Sequence, residues 1–196
     1  MERTEIKIGG FGGQGVILSG YIIGRAASIY DEKHATMIQA FGPEARGSAC
    51  SAQVIVSPGP IDYPYINSPG IMIVMSQEAY SKFVPELAQG GILITEEELV
   101  TPQNLRKDVK HFSIPATRIA EELGKKLVLN IVMMGFMTAV TQFINPDAMR
   151  KAVAASVPKG TEELNRKAFD RGYEFGTAYV AGHKHLPKHS PQTIPG

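Results

Sequence analysis

One cysteine, Cys50, stands in the whole chain, so an intramolecular disulfide is excluded, and such usage suits a reducing cytoplasm. Iron–sulfur ligation and zinc knuckles need several thiolates, so this chain alone builds no typical cluster site. An excess of either charge is also missing. Lys and Arg number 20 against 19 Asp and Glu, a formal charge of +1, which argues against nucleic acid or an anionic membrane as partner. No uninterrupted apolar run reaches the length of a bilayer span, and the opening MERTE lacks the basic-then-apolar pattern of a signal peptide. Ser/His/Asp arrangements, Walker sequences and metalloprotease signatures are absent too. What the chain does have is apolar material. It is 43% hydrophobic and 20% charged over 196 residues, which suits one cytoplasmic α/β domain over residues 1–182 and a flexible tail over 183–196.

The pattern is organised around the first thirty residues. Ile6 and Ile8 mark a short strand that runs into glycines, and Gly10, Gly12 and Gly15 satisfy G-x-G-x-x-G. Val16 to Ile29 then reads as a mostly buried helix, so strand, tight turn and helix N-terminus open a βαβ unit. Gly12, Gly13, Gln14 and Gly15 form the turn. Glycine lets another group approach the backbone closely, and the first N–H groups of the helix lack intrahelical partners at the positive end of its dipole. An anion, or a carbonyl or carboxylate of a neighbouring chain, suits that place.

Further along, His34–Phe41, Ser51–Ser57, Gly70–Met75, Ile92–Thr95 and Lys110–Ile114 read as strands, the last at a sheet edge. GIMIVM at 70–75 is continuously apolar, as in a strand buried on both faces of a parallel sheet. Ser76 caps a short helix, Glu96–Val100 reads as solvated, and Pro115 stands at N1 of a helix that ends before Gly124. The last third is helical. Leu127–Phe143 is apolar almost all round and is expected to be buried in this core or against a partner, and 161–176 carries an apolar stripe at helical spacing. The expected fold is a Rossmann-like three-layer α/β/α arrangement with a mainly parallel sheet and a helical C-terminal third.

A dinucleotide domain ends its second strand on an acid that holds the ribose hydroxyls. Here that end is Gln39-Ala40-Phe41-Gly42, with Glu44 beyond a proline, which counts against a stand-alone nucleotide-binding oxidoreductase. Glu44, Arg46 and Gly47 form the second glycine-punctuated loop. It is expected at the same sheet edge as Gly12–Gly15, where ligands of open α/β sheets collect. Arg46 suits a phosphate or carboxylate clamp, or a Glu44–Arg46 pair that steadies a turn. The Gln14 amide suits a partner backbone or ligand, or is merely a helix N-terminal residue. Cys50 lacks a histidine close by in sequence and reads as a small buried hydrophobe. His183, His185 and His189 in the tail lack a rigid scaffold for metal.

Two stretches together resemble a known family. GFGGQGVILSG at 10–20 followed by FGPEARGSAC at 41–50 is similar to the gamma subunits of the 2-oxoacid:ferredoxin oxidoreductases. NIVMMGF at 130–136 and AFDRGYE at 168–174 are similar to later helices of that family. The resemblance runs from about Glu5 to Gly176. The GPEARG form is most like the 2-oxoglutarate members, and Ser48 departs from a second glycine common in the family. The resemblance implies a complex that decarboxylates a 2-oxoacid on thiamine diphosphate with Mg, passes electrons through [4Fe–4S] clusters to ferredoxin, and gives the acyl group to CoA. It implies that those redox cofactors sit in alpha, beta and ferredoxin-like delta subunits, and that this chain has no catalytic residue or metal of its own. Gly12, Gly13, Gln14, Gly15, Glu44, Arg46 and Gly47 are then candidate contacts to CoA or to a subunit. A ligand-free assembly domain, its glycine loops serving only packing, is the third reading.

Overall fold

The computed structural model describes residues 3–40 and 49–182. Six strands, β1 (Thr4–Gly10), β2 (His34–Ala40), β3 (Cys50–Ser57), β4 (Ile71–Val74), β5 (Ile92–Glu96) and β6 (Lys110–Ile114), form one sheet in the order β2-β3-β1-β4-β5-β6. All run parallel except β3, which is antiparallel to both β1 and β2. The sheet is therefore mainly parallel, but β1 and β2 are not neighbours as in a βαβ unit. A reversed strand lies between them, with Gly10 opposite Cys50 and Ala40 opposite Ser51.

Helices α1 (Val16–Arg25), α3 (Ala116–Glu122), α4 (Leu129–Thr141), α5 (Pro146–Ser156) and α6 (Glu162–Val180) share one apolar cluster with Ile6, Ile8, Ala52, Val54 and Ile73. The opposite face carries α2 (Gln77–Phe83), packed with Met72, Val74 and Leu93. Alternation explains the split, since Ile71 and Ile73 point one way along β4 and Met72 and Val74 the other. Both faces of the central strands are buried, hence their unbroken apolar runs. The result is the expected three-layer α/β/α arrangement.

Local chemistry sets most boundaries. Ser76 Oγ accepts from Ala79 N–H at 3.2 Å to start α2, and Asn145 Oδ1 accepts from Asp147 and Ala148 N–H to start α5, with Pro146 at N1. The first helix runs on through Ile29 as expected, but not as one α-helix. The α-helical pattern ends at Arg25 and continues as a π-helix over Ala26–Tyr30, with Tyr21 and Ile29 exposed. Pro115 is the N-cap of α3 rather than N1, and it has no side-chain oxygen to cap with. Glu96 does that work. Read from sequence as part of a solvated segment, it is fully buried, and its carboxylate accepts from Glu98 and Leu99 N–H at 2.7 Å and from Thr117 N–H at 2.9 Å. One buried acid thus closes the turn after β5 and satisfies a first-turn donor of α3.

The apolar stretch Leu127–Phe143 divides. From Asn130 to Ala139, α4 is buried in this core, whereas Leu127 is 82% exposed. The last helix continues past Gly176 to Val180.

Candidate functional site

At the carboxyl edge of the sheet, β1 leaves through the glycine turn toward one layer and β4 leaves through Met75–Ser76 toward the other. That divergence makes the crevice between β1 and β4 the topological switch point, the usual ligand site in open α/β sheets. Here the crevice is bridged by the protein itself. Gln14 Nε2 donates to the Met75 carbonyl at 2.8 Å, and Gln14 Oε1 accepts from Phe11 N–H at 2.7 Å. The amide read from sequence as a possible outside contact thus spends both ends inside the chain, pinning the turn to β4.

The glycines of the turn differ from one another. Gly15 is the N-cap of α1 at φ 74°, and a Cβ there would collide with the Asn130 amide. Asn130 Nδ2 lies 3.4 Å from both the Gly15 carbonyl and Ser19 Oγ, so α4 is locked against the start of α1. Gly13 takes φ 91° with open space around it, and Gly12 also faces open space. Phe11, Gly12 and Gly13 form an exposed tip beside a helix N-terminus that no side chain caps and whose first turn holds no acid. Such a tip suits a close approach by a backbone or an anion.

Glu44, Arg46 and Gly47 lie outside the described residues, as do the tail histidines. The strands on either side of that second loop end where the turn does, with Ala40, Ala49 and Cys50 beside the level of Gly10. Glu78, which sequence reasoning did not single out, meets the returning flank, its Oε1 accepting from Ala49 N–H at 3.1 Å. Asn130 was also missed as a contact of the turn. Its signal was a lone amide in an apolar helix, which burial obliges to find a partner.

Cys50 is buried beside this edge, its Sγ 3.4 Å from the Gly10 carbonyl, and burial pushes the thiol up, the reverse of what a nucleophile needs. Among the described residues no group of His, Cys, Asp and Glu is arranged to hold a metal ion. Two clefts lined by described residues lie away from this edge. One of about 280 Å³ runs along α2 between Tyr80 and Arg106, and one of about 670 Å³ sits at the opposite sheet edge between Arg3 and Gln142. Among the described residues the edge therefore presents the exposed tip Phe11–Gly13 beside an uncapped helix N-terminus.

That fold and edge belong to a defined class. Residues 5–175 match the pyruvate ferredoxin/flavodoxin oxidoreductase family, and the chain belongs to it. Within that family the likeness is to its separate small subunits. The chain is 47% identical over 174 residues to the 2-oxoglutarate synthase subunit KorC of Methanocaldococcus jannaschii, covering 88% of this chain and 93% of that one. The crystal structure of a keto/oxoacid ferredoxin oxidoreductase gamma subunit from Geobacter sulfurreducens PCA superposes with a TM-score of 0.80 at 38% identity, covering 89% of this chain and 99% of that one. The fold recurs inside a longer chain as well. A 2-oxoglutarate:ferredoxin oxidoreductase from Magnetococcus marinus, solved with 2-oxoglutarate, coenzyme A and succinyl-CoA bound, matches all of this chain over 33% of its own length, with a TM-score of 0.77 and 20% identity. No helix among the described residues is long and apolar enough to cross a membrane.

Proposed function

We propose that this chain is the gamma subunit of a 2-oxoglutarate:ferredoxin oxidoreductase, serving assembly of the complex and the approach of CoA. The observation that carries the reading is the end-to-end match to a KorC subunit, 47% identical over 88% of this chain and 93% of the relative. Almost nothing of that relative is left over, so its partners must carry whatever this fold does not. Alpha and beta subunits, and a ferredoxin-like delta subunit, would bind the 2-oxoacid on thiamine diphosphate with Mg and route electrons through [4Fe–4S] clusters to ferredoxin in the cytoplasm. This chain's own residues would bind and orient. The exposed Gly12 and Gly13 admit a close neighbour, and Arg46, with Glu44 and Gly47, is the candidate for CoA phosphates.

A second reading, assembly without any ligand, draws on one observation. Each end of the Gln14 amide already has a partner within the chain, so that side chain is held for structure and not set aside for CoA. The test is anaerobic purification of the tagged chain from its own cells. Co-purifying thiamine- and iron–sulfur-containing chains, with dye reduction that requires both 2-oxoglutarate and CoA and does not run on pyruvate, is the expected result. A chain recovered without them would overturn the subunit reading. Within the active complex, Arg46→Ala raises the CoA KM if the second loop meets CoA. An unchanged KM with unchanged assembly rules out the CoA role.

A further inference from the structure

We infer that two copies of this chain pair edge to edge through β2, in an antiparallel two-fold register centred on Met37 that joins their sheets into one. This pairing goes beyond the subunit reading and is independent of it.

β2 is an outer strand, hydrogen-bonded to β3 on one side only. Among the described residues nothing pairs with the backbone N–H and C=O groups of its other side. Natural sheets blunt such an edge with lysine, proline, a bulge or a very short strand. β2 has none of these. Its 7 residues, HATMIQA, include no proline, lysine, arginine or acid, and its pairing runs unbroken from His34 opposite Ser57 to Ala40 opposite Ser51. The other outer strand is protected. β6 has 5 residues and opens on the exposed Lys110, and its Phe112 lies against Tyr179 of α6 with ring centroids 5.9 Å apart.

The side chains leave the same edge unfinished. Ala35 and Met37 pack on the cluster that α1 shares, and the Met37 thioether fills the space where a Cβ at Gly20 would go. Thr36 and Ile38 face the other way, and Ile38, partly exposed, belongs to neither apolar cluster. Beside the edge, α1 presents no charge on the stripe that holds Gly20. Ile17 is uncharged, Gly24 faces open space and Tyr21 is 51% exposed. A second copy matches this edge because the edge matches itself. With Met37 opposite Met37 on the two-fold axis, Thr36 of each copy meets Ile38 of the other, Ala35 meets Gln39, and His34 meets Ala40. Opposite residues of an antiparallel pair share a face, so each Ile38 gains a neighbour, and two adaptable methionines meet at the axis. No like charges are brought together, and about six to eight backbone hydrogen bonds form. A foreign strand would satisfy the backbone alone, whereas the second copy also supplies side chains that this edge already fits.

The test is sedimentation equilibrium of the purified full-length chain from about 1 to 100 μM, beside two double variants. Wild type should sediment as a dimer that dissociates on dilution. T36K/I38K sets lysine opposite lysine twice across the axis and should raise the dimer Kd about tenfold or more. T36E/I38K charges the same two positions but sets glutamate opposite lysine, so its Kd should stay within about threefold of wild type. A readout independent of charge is Met37→Cys, which places two thiols at the axis and should give a covalent dimer on mild oxidation. Wild type, whose one cysteine is the buried Cys50, should not cross-link. A wild-type chain that stays monomeric at about 100 μM would overturn the inference. Equal Kd values for the two double variants would do so too, as would a dimer in which Met37→Cys does not cross-link. The subunit reading is decided separately, by whether thiamine- and iron–sulfur-containing chains co-purify.

Discussion

At the scale of single residues, the four positions Gly12, Gly13, Gln14 and Gly15 do four different things. Gly15 needs its left-handed φ of 74° and has the Asn130 amide where a Cβ would go. Gly12 has neither constraint. Gly15→Ala should therefore lower stability by roughly 2 kcal/mol, and Gly12→Ala should stay within about 0.5 kcal/mol of wild type in urea unfolding. Equal effects at the two positions would contradict the turn geometry. A second residue-scale expectation concerns His111 on β6, whose Nε2 lies 2.8 Å from Thr95 Oγ1. Burial lowers its imidazole pKa in the folded chain, so protonation favours unfolding. Its contribution is present in full above the unfolded value of 6.5 and is lost as the pH falls through the folded one. Between about pH 7.5 and 5, the urea midpoint of wild type should drop further than that of His111→Gln. Parallel curves would remove His111 as the source.

At the scale of elements, the crossing of α4 and α6 is the tightest contact in the helical layer. A Cβ at Gly135 would collide with the Phe169 carbonyl oxygen, and one at Gly172 with the Val132 carbonyl oxygen, so the two backbones touch directly. The neighbouring Gly176 admits Ala139 and Phe136 in the same way. Neither helix can retreat, because α4 is also fixed to α1 through Asn130. Gly135→Ala should thus cost about 3 kcal/mol, the upper end of overpacking, with a drop in thermal midpoint far larger than for Gly24→Ala, where a Cβ meets open space. Matching midpoints would show that the helices separate freely.

Most elements were legible because their signals are local. Apolar alternation marked β3, unbroken apolar runs marked β4 and β5, and Ser76 marked a helix start. What was hidden depends on distant partners. Three consecutive acids look solvated, and nothing near Glu96 in sequence announces that Thr117 and the turn after β5 will claim its oxygens. The glycine spacing located the candidate edge, but the use of the Gln14 amide depends on Met75, sixty-one positions away. Strand direction was equally silent, since β3 carries the same side-chain pattern whichever way it runs.

At the scale of the whole molecule, that one reversed strand decides what the glycine motif can do. In a dinucleotide domain the second parallel strand lies beside the first and brings its terminal acid to the ribose. In this chain β3 occupies that place, and β2 is displaced by two inter-strand spacings, roughly 10 Å, from β1. Its described end carries Gln39 and Ala40, not an acid. The crevice on the other side of β1, where strand order switches, is bridged by Gln14. Among the described residues neither half of a nucleotide site stands in its usual arrangement, one altered by topology and one by a side chain, although G-x-G-x-x-G is intact. The isolated chain should accordingly show no rise in thermal midpoint with NAD at about 1 mM, whereas a ligand bound with a Kd near 10 μM would add close to 2.7 kcal/mol. Gln14→Ala should open the crevice without creating affinity, because the strand order is unchanged. A saturable rise with NAD in the wild-type chain would show instead that the motif, and not the topology around it, governs this edge.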